Sequence, residues 1–198
     1  MRAIAAGVAL LLLAPVLAAQ APRPSDQELE ARMALHRGDF DYLLGQWTFT
    51  AQHQHYGRFR GSWTAVRLEG PATILDEYRA TGDTGETYAV SNTLRVYNAV
   101  ADQWELVSVD GGDGLRNIGT AHMVGDEMRI EQTFGATSPE PSQWRIRYYH
   151  IRPDGFSWAA DRSTDNGRTW VTNYMQIEAT RIGPPPRVAP LAPARRTP

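Results

Sequence analysis

The chain has 198 residues, with 20 arginines and no lysine set against 22 acidic side chains, a formal net charge of −2, and no cysteine. The missing cysteines exclude disulfides, thiolate nucleophiles and Cys-ligated zinc or iron–sulfur sites, and the missing lysine excludes Schiff-base chemistry. A balance this close to neutral is no electrostatic footprint for DNA or RNA, so no nucleic-acid partner is expected.

Residues 1–19 read as a cleaved signal peptide: Arg2, the apolar run "AIAAGVALLLLAPVLAA", and small residues at the cleavage region, where no cysteine stands to make a lipoprotein. The alternative is a membrane anchor, but Pro15 interrupts a run that would need roughly 20 apolar residues to span. The expectation is a periplasmic or secreted protein with no membrane insertion after cleavage. Losing Arg2 leaves 19 basic groups against 22 acids, so the mature chain is near −3.

Residues 20–38 form an N-terminal segment with a short helix. Ser25 and Glu28 have capping-box spacing, Leu29, Met33 and Leu35 fall roughly on one face, and Gly38 ends it. "DFDYLLGQW" then delivers the chain, through a turn of helix, into a domain spanning 39–182. From Trp47 the apolar period becomes two. Strands are predicted to begin at Gln46, Phe59, Ala72, Glu86, Gln103, Leu115, Glu127, Gln143, Gly155 and Thr169, separated by "HYG", "LEGP", "TGDTG", "NAVAD", "DGGDG", "VGD", "TSPEP", "RPDG" and "STDNG". Hairpin-length connections make neighbouring strands antiparallel. Ten of them in a meander should close into a single all-β, up-and-down barrel. Residues 183–198, "GPPPRVAPLAPARRTP", read as a disordered Pro/Arg-rich tail without a core.

Alternation sets the inner face. Trp47, Phe49 and Ala51 share one side, as do Trp104, Leu106 and Ser108, then Trp144, Ile146, Tyr148 and His150, then Phe156, Trp158 and Ala160. The last connection, "STDNGRTW", resembles the Asp-box of sialidases and other propellers, which is itself a hairpin loop. A single copy in a chain without a blade-length repeat cannot build a propeller, so it predicts a turn. Asp165 accepts backbone N–H bonds there, Gly167 supplies a positive φ, and Trp170 anchors the hairpin in the core.

Gly45-x-Trp47 after a short helix, followed by ten strands and Arg181 at the end of the last, resembles lipocalins and other calycins. The resemblance implies that Arg181 packs across Trp47 and closes one barrel end. "FDYLLGQW", "LRVYNAVADQWELVSVD" and "STDNGRTWVTNYMQIEATR" further resemble an uncharacterised family of small secreted bacterial proteins with calycin-like barrels, over most of 40–181. That family implies a cavity for a small molecule and no known reaction. Nitrobindin, a ten-stranded barrel that holds heme through a histidine, is a more distant relative by shape.

The chemistry-bearing residues leave several readings open. His150, in phase with Tyr148, either ligates heme or is an ordinary rim histidine. His53 and His55 stand two apart on one strand, where they either share a metal or are solvated; with two ligands only, no metal is assigned. Asp76 and Glu77 are adjacent and point to opposite faces. Glu178 shares a face with Trp170, Thr172, Tyr174 and Gln176. It either meets Arg95, Arg129 or Arg162 inside the barrel or pairs across strands outside. Nucleophile motifs are absent, and "DGGDG" reads as a turn.

The expected function is non-catalytic binding of a small, partly apolar molecule in the lumen. The candidate lining residues are Trp63, Tyr78, Arg95, Trp104, Ser108, Tyr148, His150, Trp158 and Tyr174. The alternatives are a small-barrel hydrolase or isomerase using His150 or Glu178, a heme protein, and an envelope interaction module. No cofactor is assigned, and neither the ligand's identity nor the oligomeric state follows from the sequence.

Overall fold

The computed structural model describes residues 23–70 and 72–187. The expected signal peptide at 1–19 and most of the expected Pro/Arg-rich tail lie outside the described residues. Helix α1 (Asp26–His36) opens with the capping box: Ser25 Oγ accepts the Glu28 N–H at 3.3 Å, and the Ser25 N–H donates to Glu28 Oε2 at 2.7 Å. The helix is less amphipathic than the sequence suggests. None of its residues is buried, and Leu35 is 74% exposed. It is tethered by polar contacts, Arg32 Nη1 donating to the carbonyls of Ala99 and Val100, and by His36 stacked on Tyr97 with ring centroids 5.1 Å apart.

A 3-10 turn at Asp41–Leu43 leads into ten strands: β1 (Gly45–His53), β2 (Gly57–Arg67), β3 (Thr73–Thr81), β4 (Thr87–Asn98), β5 (Gln103–Asp110), β6 (Gly114–Val124), β7 (Glu127–Phe134), β8 (Ser142–Arg152), β9 (Gly155–Ser163) and β10 (Val171–Gly183). Each begins within two residues of its predicted start. All neighbours pair antiparallel in sequence order, and β10 pairs with β1 to close the barrel. Closure leaves no bare sheet edge among these strands.

One end is plugged. Phe40, Leu43 and Trp47 are fully buried there, each such side chain contributing about 1.5–3 kcal/mol by leaving water. Trp47 Nε1 donates to the Leu43 carbonyl at 2.7 Å, while the Arg181 guanidinium lies 4.0 Å from the Trp47 ring centroid. Arg181 also donates to the carbonyls of Pro153, Leu44 and Tyr42 at 2.5, 2.5 and 3.0 Å. Gly45 is required at this seam. Its φ is +143°, and a Cβ would stand 2.2 Å from Arg181 Nη1. The Gly45, Trp47 and Arg181 signature therefore forms a physical lock at one barrel end.

The other end carries the "STDNGRTW" loop. Asp165 Oδ1 accepts the Thr169 N–H at 2.9 Å and Oδ2 accepts the Thr169 hydroxyl at 2.6 Å. These bonds from Thr169, with a further one from the Ser163 hydroxyl, hold the Asp165 carboxyl at about 2. Ser163 Oγ accepts the Gly167 N–H at 2.9 Å, and Gly167 has φ +82°. Trp170 departs from expectation. It is half-buried on the outer wall, donating to the Gly167 carbonyl at 3.0 Å and lying 4.0 Å beneath the Arg145 guanidinium, so it anchors the turn from outside the core.

Two irregularities interrupt the strand pairing. His150 (φ +49°) lies in a bulge between Tyr149 and Arg152, and Asn173 (φ +49°) lies in one between Val171 and Met175. In β8 the single extra residue reverses the face of the residues beyond it. In β10 three residues, 172–174, stand opposite Asp161 alone, an insertion of two that keeps the alternation: Met175, Ile177 and Ala179 face in, and Glu178 lies on the outer face with Trp170.

Candidate ligand-binding lumen

Between the plug and the Asp-box end lies a cavity of about 210 Å³. Its mouth is at the level of Ala89, Asp110, Arg116 and Phe134, and its floor is made by Trp63, Asp76, Arg95 and Tyr148. The apolar walls come from alternate residues of six strands: Trp63, Tyr78, Leu106, Ile130, Trp144 and Trp158. A larger hollow of about 770 Å³ lies between α1 and the turns of the plugged end. It is a surface groove of mostly exposed side chains, in which Arg67 pairs with Asp41.

The floor holds a buried ion pair. Arg95 Nε donates to Asp76 Oδ2 at 2.7 Å, with side-chain exposures of 3% and 1%. Asp76 Oδ1 accepts the Trp63 Nε1–H at 2.7 Å, so both carboxylate oxygens are engaged. The Arg95 guanidinium lies 4.9 Å from the Phe40 ring and 6.0 Å from the Tyr148 ring, and its Nη2 reaches the Tyr148 hydroxyl at 3.5 Å. Burial opposes the Arg95 charge, but the Asp76 carboxylate, with the neighbouring tyrosines, outweighs it and holds the group firmly protonated. Burial pushes the Tyr148 and Tyr42 hydroxyls well above their ordinary range, so both are neutral donors. Arg95 Nη1 and the Tyr42 hydroxyl are buried without a hydrogen-bond partner. Further up, Thr93 and Ser108 share a hydrogen bond of 3.0 Å, and Gln132 Nε2 donates to Ser108 Oγ at 3.4 Å.

Of the nine residues singled out from the sequence, Trp63, Tyr78, Arg95, Ser108, Tyr148 and Trp158 surround this cavity. Three do not. Trp104 belongs to the plug, edge-on to Phe40 at 5.0 Å, with its Nε1 donating to Asp39. Tyr174 is displaced by the Asn173 bulge and packs edge-on against Trp144 at 5.5 Å, its hydroxyl accepting from Arg162 at 3.0 Å. His150 is exposed on the outer wall because of its own bulge. Asp76, Thr93 and Gln132 stand in the wall with no motif in the sequence to mark them as lining residues.

The acid–base candidates meet, but outside the barrel. Ser157 Oγ donates to Glu178 Oε2 at 2.7 Å, and His150 Nδ1 lies 3.4 Å from Ser157 Oγ. The serine is buried and sits between the other two, so its proton faces the carboxylate and not the imidazole. This arrangement activates no nucleophile. Glu178 meets none of the three candidate arginines. Arg95 pairs with Asp76, Arg129 pairs with Glu127 at 3.2 Å, and Arg162 donates to Tyr174.

The heme reading loses its ligand by the same displacement. No described histidine lines the cavity, so the residues present do not fit a histidine-ligated heme of the nitrobindin kind. His53 and His55 do not share a strand face, since β1 ends at His53 and His55 lies in the following turn. His53 Nδ1 accepts the N–H groups of His55 and Tyr56 at 3.0 and 3.2 Å, which commits it to capping the turn. Among the described residues no three metal-ligating side chains cluster, and no helix is long and apolar enough to cross a membrane.

No protein-family model matches the chain, and no curated protein does. Among solved structures it is similar to an S-type phycobiliprotein lyase, CPES, from Guillardia theta, with a TM-score of 0.51 and 12% identity over 83% of this chain and 100% of that one. A protein designated EF1p2_mFAP2b, solved bound to DFHBI, gives a TM-score of 0.36 and 15% identity over 76% of this chain and 98% of that one. The likeness to the lyase is one of fold. It is consistent with a calycin-like barrel, and the lock of Gly45, Trp47 and Arg181 agrees with it.

Proposed function

We propose that this protein binds a small, partly apolar molecule in the barrel lumen and does so without catalysis. The observation that carries this reading is the aromatic-walled cavity, with a polar floor at its inner end and a mouth at the Asp-box end. Ligand sites in barrels combine apolar walls with a few convergent polar groups in this way. The cavity is smaller than the roughly 300–1,000 Å³ of sites for drug-sized ligands, which favours an occupant of one or two fused rings. Four of the six tryptophans, Trp63, Trp144, Trp158 and, in the plug, Trp104, sit in or next to the lumen, so they report on occupancy. Titration with small aromatic probes should quench intrinsic fluorescence saturably, and mass spectrometry of protein purified from its native host should reveal a co-purifying molecule. A flat titration across apolar, ketone and carboxylate probes, with no co-purifying molecule, would remove the reading.

The apolar run at 3–19 supports export by a cleaved leader to the periplasm or medium, as in the small secreted family that the sequence resembles. N-terminal sequencing of protein from the periplasmic fraction tests this, with the mature chain beginning near residue 19 or 20. A start at Met1 would refute it.

A further inference from the structure

We propose that the lumen selects ligands carrying a neutral carbonyl oxygen, seated at Arg95 and Tyr148, over ligands carrying a carboxylate, and that Asp76 sets this preference. The inference rests on the lumen reading and adds the chemistry of the ligand's inner end.

Three observations lead to it. The first is the inventory of hydrogen-bonding groups. Both oxygens of Asp76 are taken by Trp63 and Arg95, so the carboxylate of the floor has its strongest acceptor positions filled. What remains is donor capacity: Arg95 Nη1 has no partner, Arg95 Nη2 is held only at 3.5 Å, and the Tyr148 hydroxyl, kept protonated by burial, lines the same floor. A buried donor without an acceptor costs about 1–3 kcal/mol, so an acceptor atom arriving at this floor is strongly favoured.

The second is charge. Arg95 is already neutralised by a carboxylate that is itself sealed from water. A second carboxylate would leave one buried negative charge unbalanced, which an apolar-walled site tolerates poorly. A carbonyl oxygen satisfies the donors and adds no charge.

The third is the wall. Tyr78 stacks on Phe49 with centroids 5.1 Å apart, and Trp63 stands edge-on to Tyr78 at 5.5 Å, leaving flat aromatic surface above the floor. The ligand class is therefore an aromatic or cyclic ketone, lactone or amide, entering oxygen first.

Three isosteric probes test this on the whole protein: 2-acetylnaphthalene, 2-naphthoate and 2-ethylnaphthalene, each titrated at pH 7.5 by tryptophan fluorescence and calorimetry. The ketone should bind at least about tenfold more tightly than the carboxylate, and several-fold more tightly than the apolar reference. Asp76→Asn leaves a net positive floor and should reverse the ketone–carboxylate order. Tyr148→Phe should weaken the ketone several-fold and leave 2-ethylnaphthalene unchanged. The wild-type ranking decides the matter whether or not Asp76→Asn folds. If the carboxylate equals or exceeds the ketone in the wild type while all three bind, the inference is overturned and the lumen reading stands. If 2-ethylnaphthalene and both polar probes fail to bind, both are overturned.

Discussion

Removing one member of the Asp76–Arg95 pair should damage the protein far more than removing both. In Arg95→Met the buried carboxylate of Asp76 keeps only the Trp63 N–H and loses its counter-charge. Breaking a buried pair in this way costs about 3–5 kcal/mol, a large part of the roughly 5–15 kcal/mol that holds a domain folded. In a domain of this size each kcal/mol moves the melting temperature by about 2–4 °C, so a fall of roughly 6–20 °C is expected. Asp76→Leu combined with Arg95→Met buries no charge. It leaves only the Trp63 N–H without an acceptor, at a cost of about 1–3 kcal/mol. The double variant should therefore melt above the single one, and the coupling from a double-mutant cycle should exceed about 1 kcal/mol. Urea unfolding monitored by circular dichroism gives all four stabilities. A double variant no more stable than Arg95→Met, or a single variant within about 1 kcal/mol of wild type, would refute the account of the floor as a closed charge pair.

Other parts of the fold give three further expected outcomes. Gly45→Ala sets a Cβ against the pinned Arg181 guanidinium at a φ of +143°, so backbone strain of about 1–3 kcal/mol adds to a lost cation–π contact of about 0.5–2 kcal/mol; an unchanged melting temperature would contradict the lock. Asp165→Ala should lower the melting temperature and leave probe affinity intact, because the loop touches none of the cavity wall. The folded Asp165 carboxyl titrates at about 2, below its ordinary value, so its stabilisation is present above about 4 and is lost as pH falls through about 2. The wild-type and Asp165→Ala melting temperatures should converge there. His53 has its pKa lowered by burial, then by His55 and Arg162, so its stabilisation is full above about 6.5 and is lost as pH falls from there through the depressed folded value. His53→Asn keeps an acceptor for the turn and does not titrate, so the stability difference between it and wild type should shrink or reverse toward acid pH; a pH-independent difference would remove His53 as the cause.

The parts of this molecule that are legible in the sequence are those a local period can carry. Turn residues and alternation locate all ten strands, because their spacings survive a linear reading, while Gly45, Trp47 and Arg181 locate the closed end through the resemblance to calycins. The misplacements at His150 and Tyr174 arise at irregularities of β8 and β10, whereas Glu178, left open to either face by the sequence, lies on the outer one. His150 and Tyr174 each lie at or next to a residue with positive φ inside a strand, His150 or Asn173, and a period of two has no way to register such an insertion. Asn173 and His150 each offer a weak warning, since asparagine and histidine accept that conformation more readily than most residues. Asp76 is noticed as a carboxylate but left without its partner for another reason. Alternation puts it on one face and Glu77 on the other, but nothing within the strand marks which of the two has a charged partner. That partner becomes visible only in the register of β3 with β4, which a bulge between Ala80 and Thr81 shifts by one residue from the pairing at the turn: Asp76 stands opposite Thr93, with Arg95 two residues on and therefore its diagonal neighbour on the same face. A hairpin register thus carries charge information that neither strand carries alone. In a barrel of consecutive hairpins, the inward charged residues are best sought as diagonal pairs across each turn, and in this chain such a search reaches Asp76 and Arg95 at the floor of the cavity once the bulge at Ala80 is counted.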